Sequence, residues 1–283
     1  MLNYVFFGSP KFARIILQKL IENGLPPSVL ICNPDRPFGR KQILTPPETK
    51  KYVVENNLNI KILQPETNDD LAKIANASEI KESKFGVVAA YTKIIPQSLI
   101  ETFPQGIIGT HPSLLPKYRG ASPIQTAILE NDAVAGATLY LLDKKMDHGP
   151  ILAQESMDIS DKNWNYNQLE EALADACANI LVRTIPLFAE NKVISEMQTE
   201  SNATYTKKFV TEDGRVDLTN GNPETIWRKI RALNPDPGVY SEINGIRTKL
   251  LEAEKLSDGS FVITKIQPDG KNPRPTVLKL PLI

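Results

Sequence analysis

One of the two histidines of this chain, His111, lies in Gly109-Thr110-His111-Pro112-Ser113-Leu114-Leu115-Pro116-Lys117-Tyr118-Arg119-Gly120, and an acidic turn, Met146-Asp147-His148-Gly149-Pro150, follows downstream. Histidine is the side chain whose ordinary pKa lies near neutrality, so one in a Pro- and Gly-rich loop is a candidate proton carrier. A carboxylate beside it would fix its tautomer and favour its charged form. The 36-residue spacing between His111 and Asp147 suits two loops that follow different strands of one sheet and converge at its edge. Asp143, four residues before Asp147, pairs with it as a second carboxylate or serves a strand-end turn. His148 reads as positional, because adjacent residues commonly face different ways.

The pattern around these residues alternates short apolar runs with helical stretches. Residues 2–7 read as a strand, Gly8-Ser9-Pro10 as a turn, and Phe12, Ile15, Ile16 and Leu20 as one helix face. Further strands are expected at 29–32, 60–63, 86–90, 106–108, 137–142 and 151–155. Helices are expected at about 47–56 and 70–77, and a loop over 33–45. A long helix then carries Leu169, Leu173, Ile180, Leu181, Leu187 and Phe188 on one stripe, with Pro186 placed to bend or shorten it. Such alternation implies an α/β fold with a Rossmann-like, mainly parallel sheet covered on both faces. Residues 1–192 are expected to form this domain, 193–206 a polar linker, and 207–283 a small β-rich domain. In the last, a helix at 223–233 precedes short strands at 240–243, 248–253 and 261–266, and Trp227 reads as core rather than as a platform for stacking bases.

Composition removes several function classes. Lys and Arg (33) balance Asp and Glu (33), so no overall footprint for nucleic acid or membrane exists. Residues 207–283 carry a formal +3, which suits phosphate contacts and a solvated mixed surface equally. Cys32 and Cys177 lie far apart, without metal-ligand spacing, and fit two buried thiols in a reducing compartment. The first residues are too short an apolar run for a signal peptide, and no run approaches the roughly 18 apolar residues of a membrane span, so a cytoplasmic location is expected. No His/Cys/Asp cluster has metal geometry, and no metal is expected. The Gly8 turn lacks both the further glycines of a dinucleotide site and the Lys-Ser/Thr of a P-loop, and reads as a tight strand–helix turn.

Several stretches, in order, resemble the methionyl-tRNA formyltransferase family of folate-dependent formyl transferases. Phe7-Gly8-Ser9-Pro10-Lys11-Phe12-Ala13 is similar to its opening turn, and Pro34-Asp35-Arg36-Pro37-Phe38-Gly39-Arg40 to its basic substrate loop. Ala90-Tyr91 through Ile94-Ile95-Pro96 resembles the loop beside the folate, and His111 through Gln125 the central signature. Asp147-His148-Gly149-Pro150 resembles the acidic turn, and Tyr205-Thr206-Lys207-Lys208 with residues 227–235 the start of the C-terminal domain. The resemblance implies the formyltransferase fold, followed by a truncated β-barrel-like (OB-type) domain. It implies transfer of a formyl group from the co-substrate 10-formyltetrahydrofolate to the α-amino group of methionine on initiator Met-tRNA, by a monomer that binds the tRNA acceptor end and no membrane. His111 would carry the proton and Asp147 would orient it. Tyr91, Ile95, Pro96, Ser113, Leu114, Leu115, Pro116 and Asp143 would line the folate side. Phe7, Gly8, Ser9, Pro10, Arg36, Arg40, Arg119 and Gly120 would face the substrate. A solvated loop is the other reading of Arg36 and Arg40.

Two departures bear on this expectation. The family normally has asparagine two residues before the histidine, where its amide helps hold the formyl oxygen, and this chain has Gly109. Glycine removes that donor, or lets a backbone N–H or a water approach the same oxygen. The C-terminal domain is also short, and the hairpin expected before residues 261–271 has no counterpart in the sequence, so an incomplete barrel is expected. A formyl transferase acting on a small amine, such as glycinamide ribonucleotide or an amino sugar nucleotide, is the alternative reading. A folate- or tRNA-binding homologue weakened by Gly109 is the reading from another class.

Overall fold

A computed structural model describes residues 2–39, 41–160 and 163–280. By its contacts the chain forms two compact units, one of Met1–Arg119, Gly136–Ser156 and Glu170–Thr204, the other of Gly120–Ala135, Met157–Leu169 and Tyr205–Ile283.

The first apolar run becomes β1 (Tyr4–Phe7), whose four residues are fully buried, as expected of a strand covered on both faces. The turn after it feeds α1 (Lys11–Glu22), which buries Phe12, Ala13, Ile16, Leu17 and Leu20. Gly8 allows that turn to be tight: a Cβ there would lie 2.6 Å from the Ala13 Cβ and 2.7 Å from the Ala89 carbonyl oxygen. After β2 (Val29–Ile31), the expected loop holds a two-stranded hairpin, β3 (Arg36–Phe38) and β4 (Ile43–Thr45), whose Phe38, Ile43 and Leu44 are exposed. The Pro and Gly residues that suggested a loop are compatible with a short exposed ladder, and Gly39 turns it with φ of 71°. Arg40 lies outside the described residues.

The helices α2 (Glu48–Glu55), α3 (Asn68–Ile74) and α4 (Ser78–Lys81) and the strand β5 (Lys61–Leu63) lead to β6 (Phe85–Ala89), α5 (Gln97–Ile100) and β7 (Ile107–His111). The start of α3 is set by a reciprocal cap in which the Asp70 N–H donates to Thr67 Oγ1 and the Thr67 N–H donates to Asp70 Oδ2. Then come β8 (Arg119–Gly120), α6 (Pro123–Leu129), β9 (Val134–Leu141), β10 (Ile151–Asp158), α7 (Tyr166–Ala189) and β11 (Tyr205–Thr206). The main sheet runs β10-β9-β7-β6-β1-β2-β5. The pairs β1/β2, β2/β5, β1/β6 and β6/β7 are parallel, and β7/β9 is antiparallel. Helix α7 continues through Pro186 to Ala189. It is the one described helix long and apolar enough, by length and composition, to cross a membrane. Its apolar stripe is accounted for by burial of Leu169, Leu173, Ile180, Leu181 and Phe188, whereas Leu187 is exposed. Cys32 and Cys177 are buried free thiols, and burial pushes the Cys32 thiol up to about 12.

In the second unit, α6 packs with α8 (Pro223–Leu233), and α8 lies on an antiparallel sheet of β12 (Tyr240–Ile243), β13 (Ile246–Lys255), β14 (Phe261–Pro268) and β15 (Arg274–Lys279). Trp227 is core, with its ring 5.2 Å from Phe261 and the Arg231 guanidinium 4.2 Å over it. The strands expected at 240–243, 248–253 and 261–266 are β12, β13 and β14, paired in turn as antiparallel hairpins, and β15 adds a strand that the sequence did not show. Prolines mask β15, because Pro275 cannot donate to a ladder and is tolerated only at such an edge.

Candidate active site

In the first unit the chain leaves β1 toward β2 and β5, then returns on the other side through β6 and β7, which places the switch of winding between β1 and β6. Open α/β sheets bind ligands outside the carboxyl ends of the strands at such a switch. The register aligns Phe7 with Val88 and Ala89 with Thr110, so the Gly8-Ser9-Pro10 turn, the Ala90-Tyr91 loop and His111 all stand at that edge. His111 is the last residue of β7 rather than a loop residue, and it is buried. A strand end holds a proton carrier more rigidly than a loop does.

The Nε2 atom of His111 lies 2.8 Å from the carbonyl oxygen of Tyr118. A carbonyl can only accept, so Nε2 carries the hydrogen and Nδ1 of the neutral ring holds the lone pair. Nδ1 faces Asp147 Oδ2 at 3.7 Å, an ion-pair separation too long for a hydrogen bond. The tautomer is therefore fixed by a backbone carbonyl and not, as expected, by the carboxylate. Asp147 is left to favour the imidazolium once Nδ1 takes a proton. Tyr118 aims its carbonyl from a left-handed backbone, φ 62°, next to Gly120 at φ 108°. Local bonds hold that bend. Ser113 Oγ donates to the Lys117 carbonyl at 2.6 Å, and the Tyr118 N–H donates to Thr204 Oγ1 at 2.9 Å. Thr138 Oγ1 donates to the Ser113 carbonyl and accepts from the Leu115 N–H and from Gln154 Nε2, which uses all of its hydrogen-bonding capacity.

Asp147 also has a left-handed backbone, φ 50°, and two groups restrain it. The Tyr140 hydroxyl donates to Asp147 Oδ1 at 2.7 Å. Gln198 Nε2 donates to the carbonyl oxygens of Asp147 at 2.9 Å and Gly149 at 2.8 Å. Gln198 Oε1 in turn accepts from Arg119 Nε and Nη2 at 3.0 and 2.8 Å, and Arg119 Nη2 is 2.7 Å from Glu200 Oε1. The bond from Arg119 holds the Glu200 carboxyl below the ordinary glutamate value. His148 is clamped between Asp143 Oδ2 at 2.6 Å and Glu200 Oε1 at 3.2 Å, which fits its positional reading. Asp143 is spent on that clamp and on the Lys145 N–H. Arg119, expected to face the substrate, is 1% exposed and braces the Asp147 turn from inside. The polar stretch expected as a linker thus supplies Gln198, Glu200 and Thr204 to this network.

The other expected residues divide between crevice edge and core. Phe7 is fully buried against Phe103 and Tyr91, so only its backbone reaches the edge. Ser9 Oγ accepts from the Asn33 N–H at 2.9 Å, and Pro10 precedes α1. Tyr91 is half-buried, and its hydroxyl is buried with no hydrogen-bond partner. Ile95 packs on the core cluster around Val5, Phe7 and Leu99, and Pro96 caps α5. Leu114 covers Gly136, Leu115 is buried, and the Pro116 carbonyl accepts from the Thr204 N–H. Arg36 is exposed on the hairpin and pairs with Glu66 at 2.7 Å. Sequence reasoning missed Tyr118, Tyr140, Gln198 and Glu200. Tyr140 had a signal in the two-residue period of its strand, whereas Gln198 and Glu200 had none.

Sheet, switch-point edge and imidazole–carboxylate pair are those of an α/β enzyme that moves a group by acid–base chemistry. Residues 2–185 match the family described as formyl transferase, and residues 208–262 match the formyl transferase C-terminal domain. This chain belongs to the formyl transferase family. It is 39% identical over 266 residues to the methionyl-tRNA formyltransferase of Campylobacter lari, covering 93% of this chain and 84% of that one. Its fold is shared with HypX from Aquifex aeolicus in complex with tetrahydrofolic acid (TM-score 0.68, 16% identity, 96% of this chain and 45% of that chain). It is shared also with the N-formyltransferase from Helicobacter canadensis in complex with folinic acid and dTDP-3-aminofucose (TM-score 0.64, 19% identity, 98% of this chain and 100% of that chain).

Proposed function

We propose that this chain transfers the formyl group of 10-formyltetrahydrofolate to the α-amino group of methionine on initiator Met-tRNA. The observation that carries the reading is the lone pair of His111 Nδ1, held beside Asp147 at the switch-point edge. The neutral amine attacks the formyl carbon, forming a C–N bond and placing the carbonyl electron pair on oxygen. His111 Nδ1 takes the proton that the amine loses, and Asp147 stabilises the resulting imidazolium. Collapse of the tetrahedral species breaks the bond between the formyl carbon and the folate nitrogen, which receives that proton.

The 39% identity to a methionyl-tRNA formyltransferase along most of both chains supports methionine on tRNA as the acceptor. The buried, unpaired hydroxyl of Tyr91 beside the crevice supports a polar ring as donor, since such a hydroxyl costs free energy until it is matched. The exposed basic hairpin around Arg36 supports contact with the acceptor end. Incubating the purified chain with 10-formyltetrahydrofolate and either Met-tRNA or small amines tests the reading. Formyl-Met-tRNA is the expected product. Transfer to glycinamide ribonucleotide or an amino sugar nucleotide alone would replace this acceptor, and folate binding without any transfer would remove the activity.

A further inference from the structure

The antiparallel register of β7 and β9 sets Gly109 directly opposite Tyr140 and His111 directly opposite Thr138. Side chains alternate with a period of two, so His111, Tyr140 and the empty position at Gly109 lie on one face. A Cβ at Gly109 would fall 2.5 Å from both Cε1 and Cζ of Tyr140 and 2.8 Å from Leu142 Cδ1. Real Cβ atoms do not approach that closely, and Tyr140 is buried, 7% exposed, in a close-packed interior. The ring therefore occupies the volume that any side chain at position 109 would claim. From that volume its hydroxyl reaches Asp147 Oδ1 at 2.7 Å, while the other carboxylate oxygen, Oδ2, is the one facing His111 Nδ1.

We propose that Gly109 and Tyr140 act as a pair, in which the glycine makes room for the tyrosine and the tyrosine hydroxyl positions the Asp147 carboxylate against His111. Tyr140 is a positioning residue, since it acts through Asp147. A hydrogen bond to an ionised carboxylate is strong and directional, and it fixes which oxygen turns toward the imidazole. Gln198 holds the backbone of the same turn, and the Tyr140 hydroxyl holds the carboxylate itself. Burial and the neighbouring carboxylates of Asp147 and Asp143 keep the Tyr140 hydroxyl protonated well above the ordinary tyrosine range, so it remains a donor. Were the ring needed only to fill space over a glycine, phenylalanine would serve as well.

The kinetic part of the test rests on the proposed formyl transfer. Tyr140→Phe in the full chain is expected to lower kcat by about 10-fold to 100-fold, the loss of one charge-assisted hydrogen bond, with KM for Met-tRNA and for the folate donor within about 2-fold of wild type. Two further readouts need no activity. The ring-nitrogen 15N resonances of His111 are expected to move in Tyr140→Phe, because the facing carboxylate turns. Gly109→Ala is expected to lower the unfolding midpoint in the wild-type background and to have a clearly smaller effect beside Tyr140→Ala, which removes both ring collisions and leaves only the flexible end of Leu142 to give way. Wild-type kcat in Tyr140→Phe, or unmoved His111 resonances, overturns the positioning role. An equal effect of Gly109→Ala in both backgrounds overturns the pairing. If the wild-type chain formylates nothing, the proposed function falls, and the resonances and the unfolding cycle still decide this inference.

Discussion

His111 donates through Nε2 to the carbonyl of Tyr118 at 2.8 Å, so the ring atom left facing Asp147 is the basic one, Nδ1. The general base and its counter-charge are thus aligned before any substrate binds. His111→Ala is expected to lower kcat by about 10²-fold to 10⁴-fold with folate binding retained, as measured by single-turnover formylation and by titration of folate fluorescence. Asp147→Asn keeps an acceptor for Tyr140 but loses the charge, so kcat should fall while KM stays near wild type. Full turnover in His111→Ala would remove the proton-carrier role.

Gln198 ties the Asp147 turn to Arg119, and its replacement tests whether that brace is structural. In Gln198→Leu the carbonyls of Asp147 and Gly149 lose their donor, and the buried Arg119 loses one acceptor. Groups stripped of partners inside a protein cost about 2–3 kcal/mol together. Calorimetry should show a clearly lower melting midpoint, with kcat also reduced because Asp147 loses its backbone support. An unchanged midpoint would mean that the left-handed turn at Asp147 stands without Gln198.

The mainly parallel sheet was legible because buried parallel strands are continuous apolar runs, as in Tyr4–Phe7 and Phe85–Ala89. His111 and Asp147 were legible because few residue types can do this chemistry. What stayed hidden depends on three-dimensional approach. The Tyr118 carbonyl is a backbone group with no residue signature, and Gln198 lies in a polar stretch indistinguishable from a linker. Arg119 looks like a substrate ligand until its burial is known. Gly109 looks like a lost donor until the register places Tyr140 over it. The hairpin of β3 and β4 escaped because its apolar residues face outward, which inverts the usual burial signal.

That outward-facing hairpin bears on tRNA. An exposed ion pair such as Arg36 with Glu66 contributes little to stability, so Arg36 can exchange its partner for phosphate at small cost. Arg36→Glu is expected to raise KM for Met-tRNA roughly 10-fold and to flatten its dependence on salt by about one unit of log–log slope. KM for the folate donor should not change. Equal effects on both substrates would place Arg36 away from the tRNA path.

Tyr4, Tyr91 and Tyr140 are among the tyrosines that make stability depend on alkaline pH. Burial raises the hydroxyl pKa of Tyr4, Tyr91 and Tyr140 above the ordinary value, and Asp147 and Asp143 raise that of Tyr140 further. A pKa higher in the folded than in the unfolded chain means that the fold retains the proton. Its stabilising contribution is complete below about pH 10, where the unfolded tyrosine titrates, and is lost as the pH climbs from there toward the folded value. Phenolate absorbance followed against pH should therefore rise for only part of the chain's eight tyrosines while the fold persists, with the rest appearing together with unfolding. In Tyr140→Phe the late step should shrink by one tyrosine. Titration of all eight near pH 10 with the fold intact would show that Tyr140 does not keep its proton beside Asp147, and would remove the donor on which the placement of that carboxylate depends.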